Sequence, residues 1–274
     1  MPASTSSPRK LALITGASSG IGAAFARAYA AKGYDVALVA RRADRLEALG
    51  KELTAKHGIE AIVICADLAV WEGHKPVLDA VAQRGRVVDV LVNNAGFSIA
   101  QSFTGAPWEK QRDFLMTLIV TACGLSYGVL PGMVERKSGA IINVASLAGF
   151  APGVAGHSLY PGAKSLAIKF SQALDAEVRA HGVNVTAICP GFTLTEFAEA
   201  NGTKEVMDNA NRRLFQTADQ VAAIAIRANE QRRVVVVPGW HNAIAAALMH
   251  YLPESWVRFA LRKGSARYHL PDSK

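Results

Sequence analysis

The chain has 274 residues, 50% of them hydrophobic and 19% charged, which is apolar material enough for one large or two small packed domains and excludes a mainly disordered chain. The longest uninterrupted apolar stretch, Ala243 to Met249, is far shorter than the ~18–20 residues that cross a bilayer, so no transmembrane span is expected. Lys plus Arg outnumber Asp plus Glu, 30 against 22, which suits an anionic partner without choosing among a cofactor phosphate, an acidic substrate, a membrane surface or a nucleic acid.

Residues 1–9 form a Ser/Pro-rich stretch unlike a secretory signal and read as a flexible tail. From residue 10 to about 238, short β-branched runs alternate with longer Ala-rich ones. Leu11–Thr15, Val36–Ala40, Ala61–Cys65, Val88–Val92, Ala140–Val144, Val183–Cys189 and Val234–Val237 read as strands. Ala23–Ala31, Arg42–Ala55, Glu109–Val129, Ser165–Ala180 and Ala218–Asn229 read as helices. The strand runs are nearly continuous in apolar residues, as expected where helices cover both faces of a sheet. The pattern predicts an α/β fold: a doubly wound, mostly parallel seven-stranded sheet in a single domain. Pro238-Gly239 ends it, and residues 239–274 read as a helical, basic extension carrying Trp256, Phe259 and Leu261, expected to close over the substrate as a lid in preference to resting on an anionic membrane surface. Cys65, Cys123 and Cys189 lie in apolar contexts with no CxxC pair and no His cluster. They are expected to be buried and reduced, with no metal site, in a cytoplasmic protein.

Directly after the first strand the chain reads Thr15-Gly16-Ala17-Ser18-Ser19-Gly20-Ile21-Gly22 and passes into a helix. Strand, glycine turn and helix make an anion site. Gly16 permits the tight turn, Gly20 lets the backbone approach a pyrophosphate, and Gly22 lets helix pack on strand, while the helix start offers free N–H groups. A dinucleotide cradled by Gly16, Ser18, Ser19, Gly20, Ile21 and Gly22 is the expected ligand. Where an acidic residue would bond the ribose 2′-hydroxyl of NAD, the chain has Arg41-Arg42, and two guanidiniums suit a 2′-phosphate, which points to NADP(H). Arg42 and Arg45 equally suit the solvated start of a helix. Tyr160 and Lys164, four apart in a helical stretch, place a phenol and an ammonium in one space. A cation ~4–6 Å away, joined by an oxidised nicotinamide, would lower the phenol from its usual pKa of about 10 toward neutrality, as a general acid/base requires. Pro161 then falls in the first helical turn, with Ser158 as the expected N-cap.

The Gly-x3-Gly-x-Gly spacing resembles that of the short-chain dehydrogenase/reductase family. The resemblance runs in family order through Asn93-Asn94-Ala95-Gly96, Ser146, Tyr160-Pro-Gly-Ala-Lys164 and Pro190-Gly191 with Thr195, roughly residues 10 to 200. It implies that Tyr160 exchanges a proton with the substrate oxygen, that Ser146 hydrogen-bonds the same oxygen, and that Lys164 also holds the nicotinamide ribose. By the same resemblance Asp67 and Leu68 contact the adenine, Asn93, Ala95 and Gly96 the middle of the cofactor, and Pro190, Gly191, Thr193 and Thr195 the nicotinamide. Two departures stand out. Leu118 occupies the helix position where the family usually has an Asn that helps hold a water linking the Lys to solvent, leaving Thr117, Thr121 or the backbone to substitute. The separation of Ser146 and Tyr160 is 14 residues, one longer than is common in the family.

Phe192, Leu194, Phe197, Met207, Trp240, Leu248, Met249 and Trp256 supply apolar surface in the regions where this family chooses substrates, so a small apolar carbonyl or alcohol is the expected partner. The reading is an NADP-preferring oxidoreductase. Its alternatives are a cofactor-binding protein with little turnover and a membrane-peripheral protein using its basic, aromatic tail. Nucleic-acid binding ranks last, because no recognised module accompanies the excess charge. The two long helices, 109–129 and 165–180, are apolar beyond one stripe, and the resemblance implies a homodimer or homotetramer built on them, the dimer being favoured.

Overall fold

The β-branched runs form a seven-stranded sheet in which every pairing is parallel: β1 (Leu11–Thr15), β2 (Asp35–Ala40), β3 (Ala61–Cys65), β4 (Val90–Asn93), β5 (Gly139–Val144), β6 (Val183–Ile188) and a two-residue β9 (Val235–Val236). The spatial order is β3-β2-β1-β4-β5-β6-β9. This computed structural model describes residues 9–153, 155, 156, 158–196 and 215–265. The expected tail up to residue 8, and Phe197 and Met207, lie outside them. A separate parallel pair, β7 (Thr193–Leu194) with β8 (Gln216–Thr217), has no counterpart in the sequence reading.

Successive strand side chains point to opposite faces, and both faces are covered. Ala12, Ile14, Val36 and Leu38 meet α1 (Gly20–Ala31), α2 (Ala43–His57) and a helix at Ala218–Glu230. Leu11, Leu13, Ala37 and Val39 share the opposite core with α3 (Lys75–Ala82), a helix at Thr121–Glu135 and a helix at Tyr160–Val178. In chain order the remaining helices are α4 (Trp108–Leu115), α5 (Thr121–Glu135), α6 (Tyr160–Val178), α7 (Ala218–Glu230), α8 (Trp240–Tyr251) and α9 (Glu254–Ser265). Each fully buried Leu or Ile in these layers, Leu38 and Ile141 among them, contributes about 1.5–3 kcal/mol. The order reverses between β1 and β4, and the crevice beyond their carboxyl ends is where this architecture takes ligands.

Four expectations are corrected. Cys65 is exposed and Cys123 half-buried, Cys189 alone being core. Cys65 ends β3, an edge strand, so its alternate side chains lack cover. The expected helix 109–129 is interrupted by a π turn at Met116–Val120 and continues through Pro131 to Glu135. Taken whole, 108–135 is long and apolar enough to cross a membrane, although Leu125, Val129 and Met133 pack it on the sheet. Finally, Leu159 and not Ser158 precedes helix α6. Its backbone is already helical, at φ −92° and ψ −24°, so no extended residue is present for a side chain to cap from.

Candidate active site

The glycine turn is shaped by close approach. Gly16 and Gly20 sit at φ +67° and +54°, a region costly for residues with a Cβ. A Cβ on Gly22 would stand 2.2 Å from the Gly16 carbonyl oxygen. The turn is latched from below by Asn94, whose Nδ2 donates to the carbonyls of Thr15 (2.8 Å) and Gly16 (3.3 Å). The Thr15 hydroxyl in turn accepts from the backbone N–H groups of Asn94 and Ala95, at 2.9 and 3.0 Å, and donates to Val92. Asn94 and Thr15 are thus site-building residues that the sequence reading left unassigned. The signal was present in the Asn93-Asn94 pair, but spacing does not tell which amide faces the turn.

Asn93 turns the other way. Its Nδ2 donates to Asn143 Oδ1 (2.9 Å) and Ser126 Oγ (3.1 Å), and Asn143 donates to Ser171 (2.8 Å), a buried polar chain that ties β4 and β5 to α5 and α6. Its side chain therefore supports the strands. Ala95 is tied to the Thr15 hydroxyl through its N–H, and Gly96 packs under Leu118, whose side chain lies 3.2 Å from where a Cβ would be. Leu68 is buried and its carbonyl is held by the Thr121 hydroxyl at 2.8 Å, while Asp67 is exposed and its carboxylate accepts from Ala69 N–H.

Beyond the end of β2, Arg42 reaches back over the turn. Its guanidinium donates to Ser18 Oγ at 2.9 Å and Ser19 Oγ at 3.0 Å. Arg41 is placed differently, its carbonyl accepting from the Cys65 thiol. Positive-φ glycines, a cradle a Cβ would fill and a guanidinium on the turn's hydroxyls fit a dinucleotide with its pyrophosphate at the start of α1.

Ser146, Tyr160 and Lys164 meet at the far end of β5. Ser146 caps the 3-10 turn Leu147–Phe150, accepting from Ala148 N–H, and its hydroxyl is hydrogen-bonded to Tyr160. Gly149 lets that turn press on α6, since a Cβ there would lie 2.8 Å from the Lys164 backbone. Lys164 donates to the Val144 carbonyl at 2.8 Å, with Nζ 5.7 Å from the centre of the Tyr160 ring. Burial holds the Lys164 ammonium down to about 8, with the neighbouring Cys189 acting weakly in the opposite sense. Tyr160 departs from expectation: burial pushes its phenol above the ordinary value, and the Ser146 hydrogen bond only partly offsets this. Desolvation of the phenolate outweighs the one stabilising partner.

The wall beside Tyr160 is apolar. Ile99, Ala106, Phe114 and Ala163 are buried together with Phe97, Leu118 and Leu159 packed on them, and Phe114 lies edge-on to Phe97 at 5.7 Å between centroids. Pro190 accepts from Leu147 N–H, Thr193 Oγ1 donates to the Gly191 carbonyl at 3.2 Å, and Thr195 lies on Gly20, so this segment borders both the turn and the triad. Helix α8 closes one side, with the Asn242 side chain against Gly191. Among the described residues, no group of three or more His, Cys, Asp or Glu could hold a metal ion.

A family model described as short chain dehydrogenase matches residues 10–206. The chain belongs to that family. This short-chain dehydrogenase is an oxidoreductase by family, and it is 35% identical over 215 residues to a serine 3-dehydrogenase of Rhizobium radiobacter, covering 77% of this chain and 84% of that one. It is 34% identical over 192 residues to a very-long-chain 3-oxoacyl-CoA reductase of Anas platyrhynchos, covering 69% of this chain and 61% of the relative. Among solved structures, the fold matches a short-chain dehydrogenase from Sphingobium yanoikuyae in complex with NADPH, with a TM-score of 0.77, 27% identity and 97% and 98% of the two chains covered. It also matches L-sorbose reductase of Gluconobacter frateurii, complexed with NADPH and L-sorbose, with a TM-score of 0.74, 30% identity and 90% and 98% covered.

Proposed function

We propose that this short-chain dehydrogenase is an NADP(H)-preferring oxidoreductase acting on an apolar carbonyl or secondary alcohol, with Tyr160 as general acid/base. The observation that carries the reading is the hydrogen-bonded Ser146–Tyr160 pair with Lys164 beside it, set at the end of an apolar wall. A nicotinamide cofactor held by the glycine turn would supply or accept the hydride. Ser146 holds the substrate oxygen next to the phenol. Tyr160 gives that oxygen its proton in reduction and takes it back in oxidation, and the Lys164 ammonium favours the phenolate that remains. The wall of Phe97, Phe114, Leu118 and Leu159 excludes water and offers no partner to a charged substrate, which favours an acyl or cyclic carbonyl over a small polar one. Phe192, Leu194, Trp240, Leu248 and Trp256 are all exposed nearby in sequence or in helices α8 and α9, and extend the apolar character. Screening carbonyls and alcohols by absorbance of the reduced cofactor, with NADPH and NADH in parallel, tests the reading. Turnover confined to polar substrates, or faster with NADH, contradicts it.

NADP preference is supported by Arg42 on the Ser18 and Ser19 hydroxyls and by the NADPH held by two structural relatives. Replacing Arg41 and Arg42 with Ala is expected to weaken NADPH roughly 10- to 100-fold, the span of ~1.5–3 kcal/mol for bonds to a charged group, and to leave NADH nearly untouched. Arg42→Ala alone should account for most of it. Equal losses for both cofactors, read by fluorescence titration, would refute the assignment.

A second reading, cofactor binding with little turnover, rests on Leu118, which packs on Gly96 where the family usually has a polar side chain. Binding without hydride transfer across the screen would favour it. Self-association through α4–α5 and α6 is supported by large apolar side chains left exposed there, Val120, Tyr127 and Leu166. Sedimentation at micromolar concentration is expected to show a dimer, and a monomer would contradict this.

A further inference from the structure

Arg42, which precedes α2, and Arg45, in its first turn, are already paired with an anion of the chain itself. Glu196, just beyond β7, places Oε2 2.6 Å from Arg45 Nη1 and 3.7 Å from Arg42 Nη1. Arg42 and Arg45 stand one helical turn apart and so present their guanidiniums side by side. Thr195 lies against Gly20, its Cβ 3.2 Å from the position of an added Cβ, so the segment lies across the glycine turn and brings Glu196 to the two arginines. The same guanidinium of Arg42 spans Ser18, Ser19 and Glu196.

We propose that Glu196 is a resident anion of the 2′-phosphate site, with Arg45 as the second cation of that site, and that it competes with the phosphate for both guanidiniums. This rests on the NADP reading above. The strengths decide the exchange. All three side chains are between two-fifths and just over half exposed, so the internal pairs are weak and screened. A 2′-phosphate brings about −1.5 to −2 charges and three acceptor oxygens, enough to displace one carboxylate. A 2′-hydroxyl brings no charge and leaves Glu196 where it is. Glu196 therefore taxes NADP(H) and not NAD(H), and it links the adenosine end of the cofactor to the segment that runs past the nicotinamide end. Sequence spacing gives no hint of this pairing, because 151 residues separate Arg45 from Glu196.

The test is calorimetric titration of the intact protein with adenosine 2′,5′-bisphosphate and, in parallel, with ADP. Glu196→Gln should tighten the bisphosphate roughly 5- to 20-fold at low salt, with the gain shrinking as ionic strength rises, and leave ADP unchanged. Arg45→Ala should weaken the bisphosphate. If Arg42→Ala weakens the bisphosphate while Glu196→Gln leaves it unchanged or weakens it, the inference is overturned and the NADP reading stands. If neither variant alters bisphosphate binding, both fall. An equal tightening of ADP also overturns the inference, since Glu196 would then act on the nucleotide as a whole.

Discussion

Tyr160→Phe is expected to lower turnover by at least ~100-fold while NADPH affinity barely changes, because the ring and its packing against Phe114 remain and only the transferable proton is lost. Stopped-flow rates and a cofactor titration on the same preparation check both halves. Near-normal turnover would remove Tyr160 from the acid/base role. Lys164→Ala should behave differently, losing cofactor affinity as well as rate, since the family resemblance implies that its ammonium holds the ribose. The pH profile adds a sign. Burial raises the Tyr160 phenol above its ordinary value, so the proton donor needed for reduction stays loaded through neutral pH and is lost only in alkali. Oxidation, which needs the phenolate, should gain with rising pH over the same range. A reduction rate already falling between pH 6 and pH 7 would place the controlling group elsewhere.

Gly22→Ala is expected to abolish cofactor binding at micromolar concentrations. The new methyl would sit 2.2 Å from the Gly16 carbonyl oxygen and 2.6 Å from Asn94 Nδ2, and neither can retreat, because Asn94 is itself bonded to Thr15 and Gly16. Helix α1 has to lift off the turn, and its first N–H groups leave the place where a pyrophosphate would meet them. Overpacking of this kind costs about 1–3 kcal/mol of stability, so the variant should remain folded but melt several degrees lower. Thermal melts and cofactor titration measure the two effects. Unimpaired binding would show that the turn is not the cofactor's cradle.

The parts of this molecule that were legible in its sequence are those encoded by local period. Continuous apolar runs announced a sheet covered on both sides, and Gly16, Gly20 and Gly22 announced their turn, because each depends on neighbours a few residues away. Tyr160 and Lys164 were legible for the same reason. What spacing could not supply depends on contacts between distant segments: the Asn94 latch on Thr15, the inward turn of Asn93, and the burial that raises the Tyr160 phenol. Cys65 was misplaced because an apolar strand sequence does not say whether the strand lies at the sheet's edge.

The π turn at Met116–Val120 is a change of phase within one rod. At 100° per residue, Gln111, Phe114, Thr121, Leu125, Val129 and Met133 would fall along a single stripe of an unbroken α-helix. The wider turn absorbs extra chain and offsets the two halves by roughly one residue's rotation. Phe114 accordingly faces Phe97 and Tyr160, while Leu125 and Met133 face the sheet. The two halves thus answer to different surroundings. Loss of a single residue at the joint would close it to an ordinary α turn and leave both halves facing as they do, whereas an unbroken α-helix of the present length would turn Phe114 about 100° away from Tyr160. The joint can therefore take up a one-residue change in length while the wall beside Tyr160 and the layers beneath it both keep their register.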